Sequence, residues 1–447
     1  SANDQCVINE LPMLRLSPQW PFSPQKSPVF YGWVIWAFST IGFLCSIPGQ
    51  TMGMAVFTDT FIEVLGLSRT ELSMAYLIGT IGSSIFLTAA GRWYDRFGAR
   101  VMITVASLAL GLMVWFISVA DLLATALGGS TVVTFMLIML GYFGVRFFGQ
   151  GVLTSSSRNV LLVWFVKRRG LVSGVRGVFV SFGFSLAPLL LGWMILAYGW
   201  REALWIMAFG VGVVFAGLAL VFTRDNPASC GLRPDGGLLD DRAITDVTEG
   251  PSQTLRQARR TSVFWIYSFS LGMHAMFSTA VTFHIVSIFA EAGRNATEAF
   301  GYFLPAAVFS IIVNLLASTL VDRHSLKPFL LLMLIFFNLG AVGLLNLEQN
   351  WGFWLLALGF GAGGGLWGVT SNLAFIRFFG PLHLGEISGL NTSLSVFASA
   401  VGPAAFSLGL DYFGSYNAAV RICLGLLIVL LVAAIWVRQD EVAHAHH

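Results

Sequence analysis

Apolar stretches of about 20 residues recur from residue 30 to residue 437, each long enough as a helix to cross roughly 30 Å of hydrocarbon at about 1.5 Å per residue. Hydrophobic residues make up 56% of the sequence and charged residues 11%, against roughly 25% charged in a soluble domain, so the chain cannot cover itself with polar groups in water. Lipid is its solvent. The stretches fall near 30–58, 69–92, 101–120, 131–157, 168–197 and 202–222, then 262–291, 297–320, 328–346, 351–376, 385–412 and 415–437. Strands of an outer-membrane barrel need only about 9–11 alternating residues, whereas these runs are unbroken, which excludes a closed barrel. The expectation is an all-α integral membrane protein of twelve transmembrane helices, in which 48 Gly allow close helix packing.

The order is six helices, a gap and six more. Residues 1–29 are polar and Pro-rich, do not read as a signal peptide, and are expected to form a cytoplasmic leader. Residues 30–222 and 262–437 form the two bundles, joined by the polar linker 223–261, which is either a solvated loop or a regulatory surface. In the tail, residues 438–447, His444, His446 and His447 are a metal site or, more simply, the remnant of a purification tag. The halves share weak sequence similarity: Pro188, Tyr198 and Gly199 align with Pro403, Phe413 and Gly414 at a constant offset of 215, and Asp95-Arg96 recurs as Asp322-Arg323. Such six-helix pseudo-repeats place a substrate site between the halves near the midplane.

Basic residues set the orientation. With the N-terminus inside, the 25 Lys and Arg divide into nineteen on the inner side, four on the outer side (Arg69, Arg201, Arg294 and Arg421) and two within spans (Arg146 and Arg176). Positive charge is retained on the cytoplasmic side, so both termini are expected there. The net charge of +3 therefore reflects topology and does not call for a nucleic-acid partner. Cys6, Cys45, Cys230 and Cys423 show no paired spacing and read as reduced thiols.

After the second helix the chain reads Gly91-Arg-Trp-Tyr-Asp95-Arg96-Phe-Gly98-Ala-Arg100, which resembles the signature loop of the major facilitator superfamily. That resemblance implies the major facilitator fold and a conformational latch built from Gly91, Asp95, Arg96, Gly98 and Arg100; positive-inside retention alone is the plainer account of these charges. Tyr31-Gly32-Trp33, the run from Trp164 to Gly174, and Arg146 with Gly149 and Gly151 are similar to the monocarboxylate porter and oxalate/formate antiporter branch. Two features depart from it. Residues 297–320 hold no Lys or Arg, and Pro48-Gly49-Gln50 lacks the Lys found there in animal members of the branch.

A charge inside the bilayer is expensive unless it is paired or faces water, so Arg146 and Arg176 are candidate substrate ligands. They lie roughly 16 and 12 Å deep at about 1.5 Å per residue, similar levels that suit a shared carboxylate or phosphate. The alternatives are backbone bonding for Arg146 and snorkelling for Arg176. Gln50, Asn314, Asn372 and Asn391 are candidate neutral ligands, or simply join helices. No Asp or Glu falls at mid-depth, which leaves His274 as the candidate proton-coupling group, with a satisfied structural histidine as the alternative.

The reading is a monomeric secondary transporter of a small, monocarboxylate-like organic anion in a bacterial inner membrane, working by rocker-switch alternating access with possible use of protons. No cofactor is expected. Gly359 to Gly365 lacks the Lys-Ser/Thr of a phosphate loop, and no nucleophile, base or metal cluster recurs at helical spacing, so an enzyme is not expected. A lipophile exporter of the same fold and a sensor without transport are the competing classes.

Overall fold

The computed structural model describes residues 17–236 and 252–437; the expectations for Cys6, the middle of the linker and the histidine tail fall outside them. Among the described residues, 11 helices are long and apolar enough to cross a membrane. They are α1 (Gly32–Cys45, whose span continues through a 3-10 turn to Gly49), α2 (Arg69–Ser118), α3 (Thr131–Trp164), α4 (Arg169–Tyr198), α5 (Trp200–Phe222), α6 (Ser262–Glu291), α7 (Thr297–Val321), α8 (Lys327–Leu345), α9 (Asn350–Phe379), α10 (Leu384–Phe413) and α11 (Tyr416–Trp436). The 50 residues of α2 suffice for two crossings, and its two arms meet at Gly98, whose φ of 82° and ψ of 169° interrupt the helix. Counted by arms, the twelve expected helices are present. Only glycine adopts that backbone without strain, which explains why the signature loop has Gly at this point.

Local chemistry sets the other boundaries. Ser68 and Glu71 form a reciprocal capping box that starts α2. The expected first helix, 30–58, is broken: α1 stops at Cys45, Ile47–Gly49 forms a 3-10 turn, Gln50 is extended, and short helices follow at Thr51–Ala55 and Thr58–Leu65. Pro48 supplies the reason, because it brings no backbone N–H and its ring clashes with the preceding turn. The expected fourth helix ended at 157, but α3 continues to Trp164 and includes a π-helical segment, Arg146–Leu153. Arg158, counted above with the inner loop, is thereby carried into the membrane-spanning bundle.

Buried apolar residues fall into two clusters. One runs from Tyr31 to Leu232 with Val396, the other from Leu255 to Val437 with Leu162, so each six-helix half has its own core. Outward-facing leucines such as Leu196 and Leu304, 90% and 73% exposed, match a hydrocarbon environment. The chain is an integral, multi-pass membrane protein. Cys45, Cys230 and Cys423 form no disulfide.

Candidate functional site

Between the halves lies a cavity of about 860 Å³. Gln50, Arg146, Arg176, His274, Asn314, Asn372 and Asn391, chosen from the sequence on separate helices, all line it. It extends from Arg158, Asn372 and Asn391, nearer the linker side, towards Thr70, Phe283 and Ser407, nearer the opposite ends of their helices. No Asp or Glu among the described residues lines it, whereas Arg146, Arg158 and Arg176 all do.

These three guanidiniums are held differently. Arg146, 3% exposed, starts the π-helical segment and donates from Nη1 to the Gly49 carbonyl (3.0 Å) and to Thr51 Oγ1 (3.5 Å), with its guanidinium over the Tyr76 ring. It therefore satisfies a carbonyl exposed by the break after α1. Arg176 donates from Nη1 to Ser39 Oγ (3.3 Å) and from Nη2 to Asn372 Oδ1 (3.1 Å), and sits over Phe43. Arg158 donates from Nη2 to Thr392 Oγ1 (3.4 Å). The last two thus reach across the half interface to neutral acceptors. The expected span 131–157 stopped one residue short of Arg158; the apolar run Val160 to Trp164 beyond it was the available signal.

The neutral candidates are anchored in their own neighbourhoods. Gln50 Nε2 donates to Ser46 Oγ (3.1 Å), Asn314 Nδ2 to the Gly365 carbonyl (3.1 Å) and Asn372 Nδ2 to the Gly368 carbonyl (2.6 Å). His274 shares a hydrogen bond with Ser278 through Nδ1 (3.0 Å) and packs between Phe337 and Trp367. His284 lies outside the lining and bonds the Pro403 carbonyl through Nε2 (3.0 Å).

On the linker side the halves are joined by two symmetric contacts. Asp95 accepts the N–H groups of Gly385 and Glu386, both at 2.8 Å, in the first turn of α10. Asp322 accepts those of Gly170 (2.7 Å) and Leu171 (3.2 Å) in the first turn of α4. Each carboxylate neutralises the unsatisfied amides and positive dipole end of a helix from the other half. Arg92 pairs with Glu386 (3.4 Å), Asn159 donates to Ser388 (2.9 Å) and Ser393 to the Ser84 carbonyl (2.5 Å). Of the other signature residues, Gly91 packs against Gly385, and exposed Arg96 lies against Phe97. Arg100 stands apart: it is buried in its own half, donating to the carbonyls of Leu220, Ser17 and Trp20, because the Gly98 interruption turns it towards the leader.

The profile of the Major Facilitator Superfamily matches residues 38–403, and the chain belongs to that superfamily, a family of transporters and not of enzymes. Over 182 residues it is 29% identical to the Multidrug resistance protein B homolog of Mycobacterium tuberculosis (strain ATCC 25618 / H37Rv), covering 39% of this chain and 30% of that protein. Over 155 residues it is 26% identical to the Probable galactarate/D-glucarate transporter GarP of Escherichia coli (strain K12), covering 34% of this chain and 33% of the relative. The alignments thus span about a third of the length of these curated relatives. Among solved structures, the proton:xylose symporter XylE bound to 6-bromo-6-deoxy-D-glucose superposes with a TM-score of 0.69 at 15% identity, over 91% of this chain and 95% of that one, a likeness of fold.

Proposed function

We propose that the chain is a secondary transporter of small carboxylate-bearing organic anions, with the observed conformation closed on the linker side. One observation carries this reading: three guanidiniums line a cavity whose described lining has no carboxylate to balance them. Uncompensated charge in a low-dielectric site is costly, and an entering anion supplies the missing partner. Arg158 and Arg176 hold the carboxylate, since their present acceptors are neutral, while Arg146 props the broken α1. On the positive-inside rule the linker side is the cytoplasmic one, the membrane in this reading being a bacterial inner membrane, and the cavity then faces outward. His274 is the one histidine in the described lining, and it is the proposed coupling site. The galactarate and D-glucarate in the name of one relative are carboxylates, and the likeness to monocarboxylate porters points to the same chemistry.

The test is binding of lactate, oxalate and D-glucarate, each against its amide, to purified protein and to Arg158→Ala and Arg176→Ala, followed by thermal shift. A charge-assisted hydrogen bond is worth roughly 1.5–3 kcal/mol, so each variant should bind the acids about tenfold to a hundredfold more weakly. If both variants, still folded, discriminate acid from amide as the parent does, the anion site is lost as an explanation and a lipophile exporter of the same fold takes its place.

Asp95→Asn keeps the shape of the latch and removes its charge at the α10 N-terminus, a loss of about 1.4 kcal/mol at most stages of the cycle that use it. Transport should slow roughly tenfold while acid binding changes by less than about twofold. Equal losses in uptake rate and affinity would place Asp95 in ligand binding instead.

A further inference from the structure

The guanidiniums assigned to the anion are also the ones that cross the half interface. Arg176 reaches α9 through Asn372 Oδ1, and Arg158 reaches α10 through Thr392 Oγ1. The acceptor ends are themselves fixed. Asn372 has its Nδ2 committed to the Gly368 carbonyl, which turns Oδ1 towards Arg176, and Thr392 donates its hydroxyl proton to the Ser388 carbonyl (2.8 Å), which leaves the oxygen lone pairs for Arg158. Both acceptors line the cavity beside the two arginines, so an anion reaching those guanidiniums meets the same N–H groups.

Resting on the anion reading above, we propose that Asn372 and Thr392 are stand-ins for the substrate carboxylate: in the empty protein they hold Arg176 and Arg158 and tie the halves together at the cavity floor, and a bound anion takes over those N–H groups and unties them. The exchange runs towards the anion because a carboxylate adds an opposite charge and a second oxygen for the guanidinium fork, which a neutral oxygen lacks. It also links loading to motion. The latch contacts of Asp95 and Asp322 lie beyond the floor and outside the cavity lining, so the arginine bonds across the interface that an anion reaches directly are the pair at the floor. Asn372 and Thr392 are positioning residues in this scheme: they do not hold the anion, and they compete with it.

Competition gives an unusual sign. Removing an ordinary ligand weakens binding, whereas removing a competitor tightens it. Asn372→Leu frees Arg176, so lactate, oxalate and D-glucarate, titrated separately, should each bind about 3- to 10-fold more tightly, the range expected from one hydrogen bond. Asn372→Asp supplies a permanent carboxylate in the anion's place, and should weaken the same acids by more than about tenfold. Thr392→Val repeats the Leu result at the second arginine without touching α9.

A ligand-independent readout accompanies these titrations. Ser156, 2% exposed, lies on the linker side of the floor beside Gly385 and Gly389. With the native cysteines replaced, Ser156→Cys reports opening of the floor through maleimide labelling of the purified, substrate-free protein. Labelling should rise severalfold with Asn372→Leu and with Thr392→Val, and fall with Asn372→Asp. Weaker acid binding in both Asn372 variants would make Asn372 a direct substrate ligand and overturn the proposal, as would labelling that ignores all three substitutions. Failure of the anion reading looks different: the parent and Arg176→Ala would then treat acid and amide alike, whatever position 372 does to labelling.

Discussion

Gly385→Leu is expected to abolish transport, lowering the uptake rate by more than about a hundredfold, which corresponds to roughly 2.7 kcal/mol on the rate-limiting step. Gly385 stands in the first turn of α10, where a Cβ would lie 2.5 Å from Asp95 Oδ1 and closer still to the Gly91 carbonyl oxygen. Those neighbours are a backbone atom and the carboxylate that caps the same turn, so neither can swing aside as the tip of a flexible side chain would. A leucine there fits only if the halves move apart on the linker side. In the proposed alternating-access cycle the chain passes through the linker-closed state at every turnover, so a wedge at this point blocks transport and leaves the cavity arginines in place. Accordingly, Gly385→Leu should retain acid binding to within about tenfold and label readily at Ser156→Cys, while Gly385→Ala should show a weaker form of both effects. Normal uptake by Gly385→Leu, with protein inserted and folded, would mean that the contact between Gly91 and Gly385 is no part of the working cycle.

The membrane and the twelve helices were legible in the sequence because each rests on a local pattern. Span length follows from unbroken apolar runs, and the signature loop keeps Gly91, Asp95 and Gly98 within eight residues. Asp95 could be named from that loop; its partners, the amides of Gly385 and Glu386, could not, since they lie about 290 residues away and carry no side-chain signature. The same distance explains Asn372 and Thr392. Asn372 was legible as a polar residue within a span, but its choice between substrate and Arg176 depends on the packing of α9 against α4. Arg158 lies one residue beyond the expected span 131–157, and the small hydroxyl residues Ser155, Ser156 and Ser157 before it mark a face packed on other helices inside the bundle. Pro48 was the available signal for the break after α1, through which the expected span 30–58 ran; that Arg146 would satisfy the Gly49 carbonyl exposed there was not written in either segment alone.

Arg224→Ala is expected to cost about 3 kcal/mol of stability or more, seen as a clear fall in the thermal unfolding midpoint of the detergent-solubilised protein. Arg224 lies just after α5, is 1% exposed, and spends its guanidinium on backbone carbonyls: Nε on Pro18 (2.7 Å), Nη1 on Val221 (2.7 Å) and Thr223 (2.9 Å), and Nη2 on Phe22 (3.3 Å). Its charge sits over the rings of Phe22 and Tyr31, and Trp164 at the end of α3 donates to its carbonyl (3.1 Å). One side chain thus clasps the leader, the end of α5 and, through its own backbone, the end of α3. Alanine leaves the acceptors from Pro18 and Phe22 without this partner, and buried carbonyls that lose a charged donor cost roughly 1–3 kcal/mol each before water relaxes into the gap. Lysine keeps the charge but offers a single compact head in place of the planar fork, so Arg224→Lys should restore less than half of the loss. Arg100 holds Ser17 and Trp20 by the same means, and Arg100→Ala should release the leader in parallel, with faster proteolytic cleavage near Trp20. An unfolding midpoint unchanged in Arg224→Ala, together with unchanged cleavage of the leader, would show that the clasp adds nothing to the stability of the first half.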